Sequence, residues 1–333
     1  MELLFVGAET RMEMEKVPAA GYRIIGLPVS GMPRKPGIAM LRFAVRLLKS
    51  YNIAKKIITQ FKPQIAVGVG GFASGPLLRA AAAKGIPYII QEQNSYAGIT
   101  NKLLGKKAKI ICVAFDRMER YFPPEKIVLT GNPVRENLGT KEDLTKQAEE
   151  FFELKKGYKV ILLLGGSLGA RSLNDAMRKG IDKIAGSGIQ FIWQTGSIYY
   201  KEMLTNLENK IPDNLKMVEF ISRMDLAYAA AGVIISRAGA GTISELCVVG
   251  KPAILVPSPN VAEDHQTKNA LALVEKKAAV MISDNEIDIK LIDEAIRLIN
   301  SPDECIRLSK TIKMLARPDA TRLIVDEAEK ILK

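Results

Sequence analysis

Three glycine-rich turns combine the residue types that hold phosphate groups. Each follows an apolar run and opens into a segment with helical periodicity: "GVGGFASGP" at 68–76, "GGSLGAR" at 165–171 and "RAGAGTISE" at 237–245. Glycine lets a phosphate approach the backbone, and a helix N-terminus offers unpaired N–H groups and a partial positive charge. Three such turns at strand ends favour a phosphate-rich ligand.

The third turn departs from the dinucleotide-binding fingerprint. Gly239 and Gly241 are followed by Ser244 where a third glycine is expected. Thr242 and Ser244 can donate hydrogen bonds to phosphate oxygens. Glu245 is expected in the first helical turn, where it would accept from the vicinal hydroxyls of a sugar. The alternative is a capping glutamate that only complements the helix dipole.

Polar side chains follow several other predicted strands. Ligands of open α/β sheets bind outside the carboxyl ends of the strands, so these side chains are candidates for contacting a hydroxyl-rich ligand. A structural role in a turn or a helix cap stays open for each of them. The candidates are Asn132 and Arg135 in "TGNPVR", expected at an interdomain cleft, Glu92, Gln93 and Asn94 in "EQN", and the polar run 263–269 in "EDHQTKN".

The elements that must position these turns alternate along the chain. Continuous Val/Ile/Leu strands separated by helices predict parallel sheets covered on both faces. The series restarts after residues 133–145, which predicts two doubly wound α/β domains. Strands are predicted at 2–7, 23–29, 65–70, 88–93, 109–115, 126–131, 159–166, 190–196, 216–221, 232–239, 252–258 and 279–283, and helices at 39–59, 74–85, 171–185 and 242–249.

Length and charge agree with two domains and an anionic partner. A chain of 333 residues exceeds what one core usually supports. The net charge of +12 is concentrated, because residues 17–91 contain no Asp or Glu. Such a segment attracts nucleic acid, an anionic membrane leaflet or a phosphorylated substrate. The scarcity of aromatic residues in it disfavours nucleic acid, which needs a stacking platform when single-stranded.

Several classes of protein are disfavoured by composition. The three cysteines are far apart and fit neither a disulfide framework nor a zinc site. His265 is the only histidine, so no histidine-rich metal centre is expected. No apolar run approaches the ~20 residues that span a bilayer, and the apolar segment after Met1 is too short for a secretory signal.

One predicted helix has two possible roles. Leu41, Val45, Leu48 and Tyr51 recur at helical spacing with basic residues around them and no acid nearby. Such a stripe usually packs into a core. Its basic flanks make an interfacial membrane helix an equal alternative.

These motifs together resemble the MurG family of bacterial glycosyltransferases. The matching strings occur in the family's order from residue 5 to 270, and "RPDAT" near the end fits as well. They include "GVGGFASGP", "EQNSYAGITNKLLG", "TGNPVR", "GGSLGARSLN", "WQTG", "EFISRM", "SRAGAGTISEL" and "DHQTKNA".

The resemblance implies a GT-B fold, an α/β architecture with two Rossmann-like domains and an interdomain cleft. It implies an acceptor and membrane domain at 1–135, a UDP-GlcNAc domain at 136–312 and a C-terminal helix, 313–333, that packs back on the first domain. It further implies inverting transfer of N-acetylglucosamine to lipid I, giving lipid II, with no cofactor or obligatory metal. The donor residues carried over are Asn132, Arg171, Thr195, Gly196, Ser197, Ile221, Ala240, Gly241, Thr242, Ser244, Glu245 and Gln266.

The first domain would bind the acceptor and the membrane. The family docks on the cytoplasmic face of the inner membrane as a peripheral protein, through an apolar patch ringed by basic residues that favours anionic lipids. The acceptor residues carried over are Gly70, Gly71, Ser74, Gly75, Glu92, Gln93 and Asn94, and the patch residues are Leu41, Val45, Leu48, Tyr51 and Leu103.

One departure from the family pattern concerns the start of the chain. Family members begin with a further strand, a Gly-Gly-Thr-Gly-Gly-His turn and a helix before the strand that matches "ELLFVG". That turn carries the family's proposed base, and His265 belongs to a different motif, so the catalytic base is left unassigned. Two alternatives stay open: a shortened protein that binds UDP-sugar without turnover, and a UDP-GlcNAc 2-epimerase of the same fold.

Overall fold

A computed structural model of the chain describes residues 2–31, 33, 37–135, 138, 142–208 and 210–333. Most of the central part of the predicted linker, at 136–137 and 139–141, lies outside the described residues. The chain divides into two compact units. Unit 1 comprises Met1–Gly131 and Thr321–Lys333, and unit 2 comprises Asn132–Ala320.

All twelve predicted strands are confirmed. Their apolar residues alternate with helical segments, and every strand pair in the described chain is parallel. The strands are β1 (Leu4–Ala8), β2 (Arg23–Leu27), β3 (Ala66–Gly68), β4 (Tyr88–Glu92), β5 (Ile110–Val113), β6 (Ile127–Leu129), β7 (Val160–Leu164), β8 (Gln190–Gln194), β9 (Leu215–Val218), β10 (Val233–Ser236), β11 (Ala253–Leu255) and β12 (Val280–Met281).

The predicted helices are also present, with one division. The segment predicted as one helix at 171–185 is interrupted at Gly180, and glycine is the weakest helix former after proline. The helices are α1 (Glu13–Ala19), α2 (Ile38–Phe61), α3 (Gly71–Ala83), α4 (Ile99–Gly105), α5 (Glu142–Phe151), α6 (Arg171–Lys179), α7 (Ile181–Gly186), α8 (Tyr200–Asn206), α9 (Met224–Ala230), α10 (Ala240–Val249), α11 (His265–Val274), α12 (Ile287–Ile299), α13 (Pro302–Met314) and α14 (Ala320–Leu332).

Unit 1 contains two parallel sheets where the sequence suggested one series. β1 pairs with β2, and β3, β4, β5 and β6 form a second sheet in that order. Leu27, Ile57 and Ala73 form a small buried cluster that joins β2 to helices α2 and α3. A larger cluster, which includes Tyr88 and Ile111, fills the space between the second sheet and its helices.

Unit 2 is built on one six-stranded sheet in the order β12-β11-β10-β7-β8-β9. Its core surrounds the fully buried Trp193 of β8. The indole N–H of Trp193 donates to Asn174 Oδ1 (2.9 Å), and Asn174 Nδ2 donates to the carbonyl of Thr195 (2.9 Å). These bonds fix α6 against the end of β8. The turn that follows β8 contains the predicted site residues Thr195, Gly196 and Ser197.

Candidate active site

The sheet of unit 2 brings two of the three glycine turns to one edge. Ser236, the last residue of β10, pairs with Leu164 of β7, and Leu164 pairs with Gln194 of β8. Because these strands are parallel and end at the same level, the turns that follow them lie side by side. The third turn, 68–76, lies in unit 1.

The glycine turn after β10 is held by a buried amide. Gly239 has an extended backbone and precedes the first helical residue, Ala240. The side chain of Asn132 is 4% exposed and donates to Ser244 Oγ (3.0 Å) and to the carbonyl of Ala240 (3.4 Å). Ser244 Oγ in turn donates to that carbonyl (3.0 Å). Asn132 therefore fixes the first turn of α10, whose N–H groups face outward without helical partners.

Gly241 and Thr242 occupy the open part of that first turn. Gly241 is exposed and Thr242 is half-buried, and within the described residues no side chain lies within 4 Å of a Cβ built at Gly241. Open space and unpaired N–H groups at a helix start make an anion site. Ala240, Gly241 and Thr242 are thus placed as a phosphate cradle requires.

Glu245 lies two residues further along α10 than the sequence predicted. The helix begins at Ala240 rather than 242, so Glu245 is its sixth residue and no acid occupies the first turn. The prediction of a first-turn position was wrong, and with it the alternative of a capping glutamate. Glu245 Oε2 accepts a hydrogen bond from the Tyr228 hydroxyl (2.9 Å), and Oε1 lies 3.6 Å from Arg135 Nε.

Tyr228 and Arg237 are structural partners of this site that sequence reasoning missed. Burial, and next the charge of Glu245, raise the pKa of Tyr228 well above its usual value. The Arg237 guanidinium pairs with Asp284 and donates to Ser172 Oγ (2.6 Å) and to the carbonyl of Val256 (3.2 Å). Arg237 therefore joins the end of β10 to the loops after β11 and β12 and to the first turn of α6. The available signal was a polar side chain inside each apolar segment, "LAYAA" and "IISRAG".

The turns after β7 and β8 approach each other backbone to backbone. A Cβ at Gly169 would lie 2.3 Å from the carbonyl oxygen of Thr195, and one at Gly196 would lie 2.1 Å from the amide nitrogen of Gly169. Both glycines also have positive φ, +90° and +83°. Ser197 N donates to the carbonyl of Ser167 (3.1 Å). Gly169 and Gly196 are thus required by the contact between the turns, whatever the turns bind.

The remaining predicted donor residues occupy different environments along this edge. Thr195 is fully buried and Ile221 nearly so. Among the described residues, neither the N–H nor the carbonyl of Ile221 has a backbone partner. Gln266 Oε1 accepts from the amide of Ser258 (2.8 Å), which fixes the loop after β11. Arg171 begins α6, is exposed, and pairs with Glu202 (3.1 Å).

In unit 1, the glycine turn after β3 opens α3. Gly70 and Gly71 both have positive φ, +83° and +75°, and Gly71 is exposed. The buried hydroxyl of Ser74 donates to the carbonyl of Gly70, which secures the turn. Gly75 follows within the helix. The turn has the open, glycine-lined form that the sequence predicted for an anion site.

The neighbouring loop after β4 is organised around a buried carboxylate. Glu92 is 3% exposed. Its Oε1 accepts from the amide of Asn94 (3.0 Å), and its Oε2 accepts from the amide of Gly98 (3.0 Å) and from Asn101 Nδ2 (2.8 Å). Gln93 Nε2 donates to the carbonyl of Val69 (3.0 Å), which links this loop to the glycine turn. Glu92 therefore shapes the loop from inside.

The structure excludes core packing for most of the apolar stripe on helix α2, and the membrane role stays a prediction. Leu41 and Leu48 are 69% and 65% exposed, and Val45 is exposed to the same degree, so they do not pack into the core. Tyr51 is half-buried: it packs against the larger core cluster and lies at the edge of the exposed apolar stripe. Leu103, on α4, is 77% exposed.

Two negative findings apply to the described part of the chain. No helix there is long and apolar enough to cross a membrane. No group of three or more His, Cys, Asp or Glu side chains is placed to hold a metal ion.

Two parallel α/β units, each with a glycine turn at the carboxyl edge of a sheet, are the architecture of the GT-B fold. The sequence matches the glycosyltransferase family 28 N-terminal domain over residues 2–113 and the C-terminal domain of that family over residues 160–323. The chain belongs to glycosyltransferase family 28.

Curated relatives make the assignment more specific. The chain is 54% identical over 331 residues to the UDP-N-acetylglucosamine--N-acetylmuramyl-(pentapeptide) pyrophosphoryl-undecaprenol N-acetylglucosamine transferase of Parabacteroides distasonis, covering 99% of this chain and 90% of the relative. It is 53% identical to the protein of the same name from Cytophaga hutchinsonii, covering 99% and 89%.

Solved structures agree with the fold. The crystal structure of MurG from Acinetobacter baumannii is 27% identical, with a TM-score of 0.78, covering 99% of this chain and 91% of that one. A UDP-GlcNAc 2-epimerase from Neisseria meningitidis, solved bound to UDP-GlcNAc, is 16% identical with a TM-score of 0.66, covering 99% and 91%. At that identity the epimerase shows the shared fold alone.

Proposed function

We propose that this chain transfers N-acetylglucosamine from UDP-GlcNAc to the muramyl sugar of lipid I, which forms lipid II in peptidoglycan synthesis. The observation that carries the proposal is the 54% identity, over 99% of the chain, with a transferase named for that reaction. The edge of the unit 2 sheet supports it, because an open helix start and a glutamate lie one turn apart on α10.

Unit 2 is the donor-binding part in this proposal. The first turn of α10, Ala240 to Ser244, would hold the diphosphate through N–H groups, while Glu245 would accept from the ribose hydroxyls. The backbone of Ile221 would contact uracil. The side chains of Asn132 and Gln266 would contact the sugar. Arg171 and the turn Thr195–Ser197 would lie near the diphosphate.

The chemistry follows from those positions. A hydroxyl of the acceptor sugar attacks the anomeric carbon of GlcNAc, the bond to the β-phosphate oxygen breaks, and UDP leaves with that electron pair. Negative charge then accumulates on the diphosphate, and a helix start stabilises such charge. The attack from the opposite face inverts the configuration. The base that takes the hydroxyl proton is left unassigned.

Unit 1 is the acceptor-binding part. The turn at Gly70, Gly71, Ser74 and Gly75 offers a second anion site suited to the lipid-linked diphosphate. Glu92 would act indirectly by shaping the loop that carries Gln93 and Asn94.

Unit 1 would also dock on the cytoplasmic face of the inner membrane. Leu41, Val45, Leu48 and Leu103 are exposed apolar residues, with Tyr51 at the edge of their surface. Exposed Arg42, Arg46, Lys49, Lys55 and Lys56 flank them on α2. An apolar face with cationic flanks binds at an anionic lipid interface without spanning the bilayer.

Transfer can be tested with labelled UDP-GlcNAc and a short-chain lipid I analogue. We expect labelled disaccharide product, and the variant Gly241→Asp should lose it because a carboxylate at the helix start repels the diphosphate. Gly186→Asp, the same substitution at an exposed glycine with open space at the end of α7, is the matched control. Retention of wild-type activity by Gly241→Asp would contradict the placement of the donor, and interconversion of UDP-GlcNAc with its 2-epimer would replace the proposed reaction.

A further inference from the structure

A buried tyrosine is fixed on the carboxylate that the donor site is built around. Tyr228 lies on α9 in an otherwise apolar segment and is 2% exposed. Its hydroxyl donates to Glu245 Oε2 at 2.9 Å. A buried phenol needs a hydrogen-bond partner, and here the partner is a side chain of the proposed ribose site rather than a backbone carbonyl.

The other neighbour of Glu245 is a weaker constraint. Arg135 Nε lies 3.6 Å from Oε1, and the arginine side chain is half-exposed. An ion pair of that length with one half-exposed partner holds geometry loosely and is partly screened by salt. The Tyr228 hydroxyl is therefore the contact that sets the orientation of the carboxylate plane. The buried phenol is also protonated at neutral pH, so it acts only as a donor towards Glu245.

We infer that Tyr228 is a positioning residue that makes the donor site selective for ribonucleotides over 2′-deoxyribonucleotides. The inference rests on the proposed function, in which Glu245 accepts from the ribose 2′- and 3′-hydroxyls. A carboxylate accepts hydrogen bonds from both hydroxyls of a vicinal diol only if the plane of the carboxylate is held in one orientation. Without the phenol, the Glu245 carboxylate can turn towards Arg135. The hydrogen bond from the ribose 2′-hydroxyl to Glu245 is then weakened, while the contacts of the rest of the nucleotide are little affected.

The test compares UDP with 2′-deoxy-UDP by calorimetric titration of the full chain. We expect the wild type to prefer UDP by at least roughly tenfold, the factor that corresponds to about 1.4 kcal/mol. Tyr228→Phe should reduce this preference to about twofold by weakening UDP, with the affinity for 2′-deoxy-UDP nearly unchanged. In a Glu245→Ala background, Tyr228→Phe should have no further effect, because the group it positions is gone.

Tyr88→Phe is the matched control. Tyr88 is also 2% exposed and its hydroxyl also donates one short hydrogen bond, to the carbonyl of Leu104 (2.7 Å), but it lies in unit 1. Its removal should leave the preference for UDP at the wild-type value. Fluorescence of Trp193 in the unit 2 core reports folding of each variant. If Tyr228→Phe does not fold, 4-fluorophenylalanine at position 228 fills the hydroxyl's space without a donor and decides the question.

The outcomes separate the inference from the proposed function. A Tyr228→Phe protein that keeps the full preference, or that loses affinity for both nucleotides equally, overturns the positioning role while the donor site stands. A wild-type protein that binds UDP and 2′-deoxy-UDP equally overturns the role of Glu245 and the inference with it. Absence of UDP binding by the folded wild type overturns the donor site itself.

Discussion

Glu92 of unit 1 and Glu245 of unit 2 occupy similar positions and have different hydrogen-bond partners. Each lies at the carboxyl edge of a parallel sheet, close to a glycine turn. Glu92 is 3% exposed and receives hydrogen bonds on both oxygens from the loop around it. The side chain of Glu245 is 16% exposed, with one phenol and one loose ion pair as its partners.

Glu92 is therefore a carboxylate that holds its own loop in place, whereas Glu245 can still accept hydrogen bonds from a ligand. A carboxylate has about four lone-pair positions, and those of Glu92 are occupied by backbone and amide N–H groups. Glu245 retains capacity for the two hydroxyls of a sugar. Two experiments test this comparison of the carboxylates and one tests the wider comparison between the two units, and they follow in order of decreasing effect.

The largest effect is expected from Glu92→Gln. The glutamine amide has one oxygen and one NH₂ group. In either orientation its NH₂ group faces N–H donors, those of Gly98 and Asn101 or those of Asn94, and these buried donors lose their acceptor. We expect this loss to lower the free energy of unfolding of unit 1 by about 3 kcal/mol. Trp193 is the single tryptophan and lies in unit 2. Far-UV circular dichroism should therefore show an earlier urea transition while the tryptophan transition stays in place. Glu119→Gln, on an exposed glutamate of unit 1, should shift neither one.

The next effect concerns the exposed face of α2 in unit 1. Leu41→Ser with Leu48→Ser should weaken binding to vesicles of phosphatidylglycerol and phosphatidylcholine by about a hundredfold, because two leucines no longer enter the interface. Co-sedimentation measures the partition. Ile289→Ser with Ile306→Ser removes two exposed apolar residues of unit 2 and should leave it unchanged. Equal losses in the two pairs would mean that unit 1 has no dedicated membrane face.

The smallest effect is expected from Glu245→Gln. Affinity for UDP should fall about tenfold, or about 1.4 kcal/mol, because an amide accepts with one oxygen where the carboxylate offers two. The urea transition followed by Trp193 should move by less than about 1 kcal/mol, since the lost ion pair is long and its arginine is half-exposed. A large stability loss with unchanged UDP affinity would give Glu245 the role that Glu92 has, and the comparison between the units would fail.

Local sequence determined the elements and the position of the turns. Every predicted strand is present because Val/Ile/Leu runs between helical segments have few alternatives to a buried parallel sheet. The three glycine turns were found from local sequence too. Positive φ requires glycine at Gly70, Gly71 and Gly169, whereas the turn at Gly239 and Gly241 was recognised only by its glycine-rich string after an apolar run. The resemblance to a glycosyltransferase family was carried by those same strings and is confirmed by the family match.

Only the tertiary structure decided what individual side chains do. The start of α10 at Ala240 moved Glu245 out of the first turn, because Asn132, more than a hundred positions earlier in the chain, fixes that turn. The phenol of Tyr228 and the donors around Glu92 reach their carboxylates through packing that periodicity does not encode. Hydrogen bonding between elements depends on distances across the fold, and a sequence pattern records only distances along the chain.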